Sequence, residues 1–551
     1  MLKNTYFHDY IMKNTFYHCV EKWTPTTLFD PPTNTNSLTC CKRSKMMHEY
    51  HVATRKFCNR EVTRQLLTMN NENTPVVKHQ KPSARFWLLV FVAIAGGPVL
   101  FGLHLGLLNN SDEVIKQLIN TSIYAHYNSF PSADNVDFWY SVASTVFVVG
   151  GILGSLLIGP LSSRLGCRKA MYYVSAFGTI FTIAMMLSEI TNLFELLIIS
   201  RLMMGIHSGI YMRLSPMYIT ECSPNVFRGT STIIVAGGVT FGALLASVFA
   251  LNVVFGQIGY LWLLFGVPLV AICAHVIGLM FCPESPRLLM ERNHDVFAFI
   301  ALQQLRNSPI SEIQGELDDI TSEIKDAVQL ESSEEKNLSM LQFLKMKRWR
   351  KMIIIATVIM IGQQLCGVNG ILFFSKSTFT NSGMTDIAAT YGTLGVSAAL
   401  FLGSLIGTCL IDKTGRRPLL IFSFATMMIA TVLLVPFLKL GENRAYSIGA
   451  IICNIIFVIS FSIGPGGIGW MITPEMFPFE VRGKACTFAS GINWICNVLV
   501  VALFVPIEKQ FGSDVFLILA VFNTFFLIFT ILQVKETKGK TPKEIEDLYN
   551  N

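Results

Sequence analysis

At 551 residues, 52% of them hydrophobic and only 14% charged, the chain carries far less charge than the roughly 25% of a soluble domain. A mean hydropathy of +0.49 excludes a single water-excluded core under a charged coat and points to an integral membrane protein. The thirteen cysteines do not make a disulfide framework by count, because Cys273, Cys453 and Cys496 sit in apolar runs where a thiol behaves as a small hydrophobe.

Residues 1–83 hold twelve Lys or Arg against six Asp or Glu, which is nearly all of the formal net charge of +7. The segment is rich in Thr, Asn and Lys and has neither an apolar signal core nor a helical stripe. It reads as a disordered cytoplasmic tail. Its basic excess allows contact with anionic headgroups, and a plainly solvated stretch is the alternative.

From Phe86 onward apolar runs of about 20 residues recur, each long enough at 1.5 Å per residue to cross about 30 Å of hydrocarbon. Twelve are expected, near 86–108, 138–161, 170–190, 193–219, 230–254, 261–281, 352–374, 388–411, 418–438, 446–472, 486–506 and 515–534. The glycine content of the fourth, fifth and tenth predicts kinks or breaks there. The expected fold is all-α and membrane-embedded: a six-helix bundle over 84–281, a cytoplasmic helical linker over 282–351, a second six-helix bundle over 352–534 and a cytoplasmic tail over 535–551.

Arg164, Arg168 and Lys169 crowd one loop, Lys413, Arg416 and Arg417 another, and Arg482 and Lys484 a third, while the alternate loops are nearly bare, with Lys116, Lys376 and Lys509 as scattered cations. Positive charge is retained on the cytoplasmic side, so both termini and the linker are placed there. The sequon at Asn120-Thr121-Ser122 then lies in the large first loop on the far side, where glycosylation is possible. That at Asn109-Asn110-Ser111 crowds the first span, and Asn337-Leu338-Ser339 falls on the cytoplasmic side and should be silent.

Three segment pairs repeat at an offset of about 250 residues. SRLGCRK from Ser163 pairs with DKTGRRPLL from Asp412, ECSPNVFRG from Glu221 with EMFPFEVRG from Glu475, and PESPR from Pro283 with KETKG from Lys535. Two duplicated six-helix bundles around a central cavity imply alternating access. Arg164, Arg168, Arg228, Arg416, Arg417 and Arg482 face Glu221, Glu475, Glu284 and Glu536 in this scheme. They are expected to latch the two bundles at the cytoplasmic face, each exposed pair contributing about 0–1 kcal/mol. The alternative is that these arginines only set topology.

SRLMMG at Ser200, PMYITECSPNVFRG at Pro216, PESPRLL at Pro283, QQLCGVNG at Gln363, DKTGRRPLL at Asp412, GPGGIGW at Gly464 and ETKGKT at Glu536 occur in this order. With them the chain from about Trp87 to Leu548 resembles the sugar porter family of the major facilitator superfamily, and within it the facilitative glucose transporters. The resemblance implies that fold, a polyol-like solute and, by default, the plasma membrane.

A hexose exchanges water for protein hydrogen bonds, so its site needs neutral amides beside an aromatic face. Gln363, Gln364 and Asn369 supply amides in the seventh span. Six residues turn a helix by about 600°, so Asn369 converges with Gln363 only if the helix breaks, which Gly367 and Gly370 permit. Asn493, Trp494 and Asn497 in the eleventh span and Trp470 after Gly464-Pro465-Gly466-Gly467 complete the expected lining. Interhelical packing is the alternative role for these polar residues.

The chain departs from the family where relatives carry a Gln at Ala236, an Asn at Leu400, a Glu at Ser462, paired tyrosines at Phe373 and Phe374, and Gln-Leu-Ser at Met360-Ile361-Gly362. Each lost hydrogen bond costs about 0.5–1.5 kcal/mol, so a sugar is better supported than glucose specifically. His104 stands where coupled relatives carry Asp and facilitative ones Asn, with Arg201 as its basic partner, so proton coupling is open. The leading expectation is a passive hexose carrier, against a proton symporter and a sensor without flux. No metal-spaced cluster, nucleotide loop or nucleophile–base pair suggests an enzyme, a cofactor or a nucleic-acid partner.

Overall fold

The computed structural model describes residues 82–550 except 129, 225–227, 252, 258, 307, 309, 332–338, 382, 441–443 and 541. Residues 1–81 of the expected N-terminal tail and the sequon at Asn337 lie outside the described residues, while Ser83 of that tail caps the first helix. Helices account for the regular structure among them, with one isolated bridge between Pro82 and Arg306.

The first span is two helices, α1 (Ala84–Ala95) and α2 (Pro98–Asn110), followed by α3 (Asp112–Tyr127). Then come α4 (Ala133–Leu165), α5 (Cys167–Ile190), α6 (Phe194–Cys222), α7 (Arg228–Phe249) and α8 (Leu261–Leu279). The linker holds α9 (Pro286–Glu291), α10 (Asp295–Leu305), α11 (Ile310–Glu331) and α12 (Met340–Lys345). The seventh span is α13 (Arg350–Leu365) with α14 (Val368–Asn381), and α15 (Asp386–Thr414) and α16 (Arg416–Lys439) follow it. The tenth span is α17 (Arg444–Ile463) with α18 (Pro465–Met476); α19 (Phe479–Phe511), α20 (Val515–Gln533) and α21 (Pro542–Asn550) end the chain.

Ten helical segments among the described residues are long and apolar enough to cross a membrane. The expected fourth and fifth spans, α6 and α7, are more polar or partly outside description, yet α6 packs along α4 and α7 along α2. Together these elements give twelve crossings, six on either side of the linker.

Breaks fall in the first, seventh and tenth spans, the last as expected, while α6, with Pro216 inside it, and α7 are each one continuous helix without the break allowed for there. The reason is what their glycines touch. A Cβ on Gly205 or Gly209 of α6 would collide with the carbonyls of Phe147 and Gly151. One on Gly150 or Gly154 of α4 would collide with those of Leu202 and Ile206. Two Gly-x-x-x-Gly faces therefore let the backbones approach, and their small size serves packing rather than bending. Gly102 of α2 and Gly242 of α7 meet each other's helix in the same way. Gly205→Val is expected to abolish folded protein, seen as loss of the monodisperse peak in detergent, because backbone cannot yield as a flexible side chain can.

At the first break Pro98 has no N–H to donate into the preceding turn. The His275 ring fills the space a Cβ on Gly96 would need, and its Nδ1 lies 2.6 Å from the Val92 carbonyl. At the seventh break Gly367 has φ +98°, a left-handed backbone that glycine adopts without cost.

Candidate functional site

The seventh-span break turns Gln364 and Asn369 toward α19. Asn369 Nδ2 donates to Gln364 Oε1 and, at 2.9 Å, to Asn497 Oδ1. Gln364 Nε2 donates to Asn493 Oδ1 at 3.0 Å, and Asn493 Nδ2 donates to Gln363 Oε1 at 2.7 Å and to the Met360 carbonyl at 2.8 Å. Gln363 Nε2 closes the series on the carbonyls of Pro465 (2.9 Å) and Gly466 (3.0 Å), where the tenth-span break frees them. Five carboxamides from α13, α14 and α19 thus form one chain anchored on α18.

The chain is not uniform in what it leaves free. Gln363 spends both amide hydrogens and its oxygen on protein. Asn369 Oδ1 and Asn497 Nδ2 have no protein partner among the described residues, so one acceptor and one donor remain at that end. Trp494 is buried, its indole against Gly151 of α4 and edge-on to Phe101 of α2 at 6.0 Å, so it closes on the N-terminal half. Trp470 is half-buried on α18.

Among the departures from the family pattern, Leu400 is buried and its carbonyl accepts from Ser462 Oγ at 3.0 Å within the C-terminal half. Ala236 is half-buried, and the side chains of Phe373 and Phe374 lie outside the described residues. One turn beyond Ala236 and Leu400, Thr240 Oγ1 and Ser404 Oγ meet across the halves at 2.9 Å, and Ser247 and Ser397 do so at 2.7 Å.

Among the described residues the duplicated charges pair inside each half rather than across the two, and the expected inter-bundle latch at the linker end is corrected for them. Glu284 accepts from the backbone N–H of Arg168 at 3.0 Å, and Arg168 Nε donates to the Leu279 carbonyl. In the other half Arg416 forks onto Glu475 at 2.8–3.2 Å, Thr537 donates to the same carboxylate, and Glu536 accepts from the N–H groups of Arg416 and Arg417. Arg417 Nη2 reaches the Ile531 carbonyl, Arg482 Nε the Phe477 carbonyl, and Cys167 Sγ lies 3.5 Å from Glu221. Arg164 is exposed, and the Arg228 side chain lies outside the described residues. Each turn is short, so its charges reach the helix ends of their own bundle first.

Burial alone would raise Glu536, but the N–H groups of Arg416, Lys538 and Arg417 outweigh it and hold the carboxyl below its usual value of 4.5. A depressed carboxylate stabilises the fold above the unfolded value and loses that contribution as pH falls through the folded one. The melting-temperature gap between the native chain and Glu536→Gln is therefore expected to hold from about pH 8 to 5 and to close at lower pH.

The cross-half ion pairs sit at the opposite end, at lysines that look like scattered cations in the sequence. Lys509 of α19 reaches Asp134 and Asp137 of α4 at 2.9 and 2.7 Å, and Lys116 of α3 shares Asp137 at 2.9 Å. Lys376 of α14, 5% exposed, lies between Asp386 (2.9 Å) and Asp112 of α3 (3.6 Å). Two carboxylates, one from each half, thus compensate a buried ammonium. A signal was available: Lys376 and Lys509 stand in loops nearly bare of cations, and each lies near an acid of the other half.

His104 is fully buried, and neither ring nitrogen has a partner among the described residues. Arg201 Nη1 donates to the His104 backbone carbonyl at 3.0 Å, and its guanidinium sits 4.3 Å over the Phe147 ring. Among the described residues no carboxylate pairs with it. Asn120 is exposed on α3. No group of three His, Cys, Asp or Glu side chains among the described residues is placed to hold a metal.

Residues 89–549 match the sequence family described as Sugar (and other) transporter. The chain belongs to this family. It is a sugar transporter, multi-pass in the membrane, and not an enzyme. It is 32% identical over 454 residues to the mouse solute carrier family 2, facilitated glucose transporter member 3, covering 82% of this chain and 90% of that protein. It is also 32% identical over 468 residues to member 1 from chicken, covering 84% and 93%. Its fold matches the proton:xylose symporter XylE bound to 6-bromo-6-deoxy-D-glucose with a TM-score of 0.69 at 22% identity, over 85% of this chain and 99% of that one. The inward open XylE from E. coli matches with a TM-score of 0.69 at 21% identity, over 84% and 99%.

Proposed function

We propose that this sugar transporter is a uniporter of a hexose such as glucose, working by alternating access between the bundles 84–281 and 352–534. The observation that carries this reading is the run of five carboxamides with no ionisable side chain bonded to it among the described residues. Neutral amides match hydroxyls in donor and acceptor number and leave nothing in the chain to carry a proton. Asn369 Oδ1 and Asn497 Nδ2 offer one acceptor and one donor to the sugar, with Trp470 as the aromatic face. Gln363, Gln364 and Asn493 hold these groups in place, and Trp494 closes from the N-terminal half.

The reading extends to a plasma-membrane carrier with both termini, the linker 282–351 and the tail 535–551 in the cytosol, which puts Asn120 outside and open to glycosylation. The lysine-centred pairs around Lys376 and Lys509 then form an exofacial gate. The similarity to facilitated glucose transporters supports uniport. The absence of a carboxylate beside Arg201 among the described residues supports it too, since proton relays inside a membrane are built on acids or histidines paired with one another.

Uptake of labelled hexoses into proteoliposomes, with and without an inward proton gradient, tests this. Equilibrating uptake indifferent to the gradient is expected. Gradient-driven accumulation would instead make the protein a symporter centred on His104 and Arg201, and binding without flux would make it a sensor.

A further inference from the structure

Seven residues at the foot of α13, Lys345-Met346-Lys347-Arg348-Trp349-Arg350-Lys351, contain five cations and no acid. All five cationic residues are exposed, whereas Trp349 between them is fully buried and packs on the Phe343 ring at 5.9 Å. The indole fixes the strip to the protein, so the charges do not swing freely into water. Arg348 pairs with Glu546 of α21, and Lys351 Nζ donates to the Tyr549 carbonyl at 3.0 Å. Lys345, Lys347 and Arg350 have no partner among the described residues.

The direction of the strip follows from the helix it opens. Ile354 is 47% exposed on a spanning helix, which marks the lipid-facing flank. It lies four residues after Arg350 and seven after Lys347, and therefore on the same face one and about two turns up. Leu341, 70% exposed, adds an apolar side chain before the cations. Cations one to two turns short of the apolar belt stand at headgroup depth, where basic side chains next to a spanning helix attract anionic lipid.

We propose that Lys345, Lys347 and Arg350 form a binding site for an anionic phospholipid in the leaflet on the linker side. The Arg350 fork takes phosphate oxygens, the two ammonium groups take the remaining negative charge, and Leu341 and Ile354 lie along the acyl chains. The inference rests on the membrane course of α13 and is independent of which solute crosses. Glu546 is a built-in rival, because it neutralises Arg348 beside the site.

The test is native mass spectrometry of the full chain in neutral detergent, titrated with dioleoyl phosphatidylserine or dioleoyl phosphatidylcholine. Phosphatidylserine is expected to bind with clear preference. At about fivefold per basic side chain, the Lys345→Gln/Lys347→Gln/Arg350→Gln variant is expected to bind it on the order of a hundredfold more weakly. Lys345→Arg/Lys347→Arg/Arg350→Lys keeps the charge and is expected to keep the affinity, which separates lost charge from lost fold. Glu546→Gln is expected to tighten binding. Equal binding of the two lipids would overturn the proposal. So would an undiminished triple-Gln variant, or an equal loss in the matched control Lys169→Gln/Lys540→Gln/Lys543→Gln. Displacement of the lipid by millimolar inorganic phosphate would reassign the strip to soluble anions and overturn it likewise.

Discussion

Lys376→Met is expected to unlock the end of the transporter opposite the linker. The ammonium lies between Asp386 of its own half and Asp112 of the other, and only 5% of its side chain is exposed. Removing one member of a buried ion pair leaves the other charge desolvated and unpaired, at a cost of about 3–5 kcal/mol in the state that buries it. A state in which that end opens rehydrates Asp112 and escapes the cost, so the population moves toward it. Hydrogen–deuterium exchange over 112–127 and 368–381 is expected to rise by about two orders of magnitude, the low end of that cost at about 1.4 kcal/mol per factor of ten. Lys376→Met/Asp112→Asn strands no charge across the halves and is expected to return much of the protection. Unchanged exchange in the single variant would remove Lys376 from the gate.

The second large effect separates two residues that the sequence treats alike. Gln363→Ala leaves one of the two Asn493 Nδ2 hydrogens without its acceptor and removes the donor shared by the Pro465 and Gly466 carbonyls, which join α13 to α18. Each buried group left unsatisfied costs about 1–3 kcal/mol, so thermal stability and uptake are expected to fall together. Asn497→Ala removes one hydrogen bond, to Asn369, at the end of the chain where a donor and an acceptor are free. Its expected signature is a KM for hexose about fivefold higher, from the loss of a hydrogen bond worth about 1 kcal/mol, with the melting temperature nearly unchanged. Differential scanning fluorimetry beside initial-rate uptake distinguishes the two. Equal loss of stability in both variants would make the amide chain a packing element throughout.

Much of the fold is legible because crossing a bilayer is a local demand. A run of about 20 apolar residues declares itself wherever it stands, so ten of the spans follow from hydropathy, while α6 and α7 are placed by their packing on α4 and α2. Glycine is harder to interpret. In Gly464-Pro465-Gly466-Gly467 it marks a true break, because proline beside it lacks an N–H. In α6 the same residue type marks a close contact with α4, since Gly205 and Gly209 recur four residues apart on one face. The spacing distinguishes these uses, and a single glycine does not. The amides of the candidate site were legible as residue types, but which of them keep a free donor or acceptor depends on a hydrogen-bonded order that runs through three helices.

The order of residues alone accounts for ten of the twelve crossings, the duplication, the neutral amides of the seventh and eleventh spans and the arrangement of charge along the chain. Packing chose the partners. Arg416 and Glu475 pair within one half, Lys509 reaches Asp134 across 375 positions, and Gln363 turns to Pro465 rather than into open space. Hydropathy acts on each segment through the solvent around it, whereas a hydrogen bond or ion pair forms only within about 3–4 Å. Which groups come that close is set by how the helices break and pack.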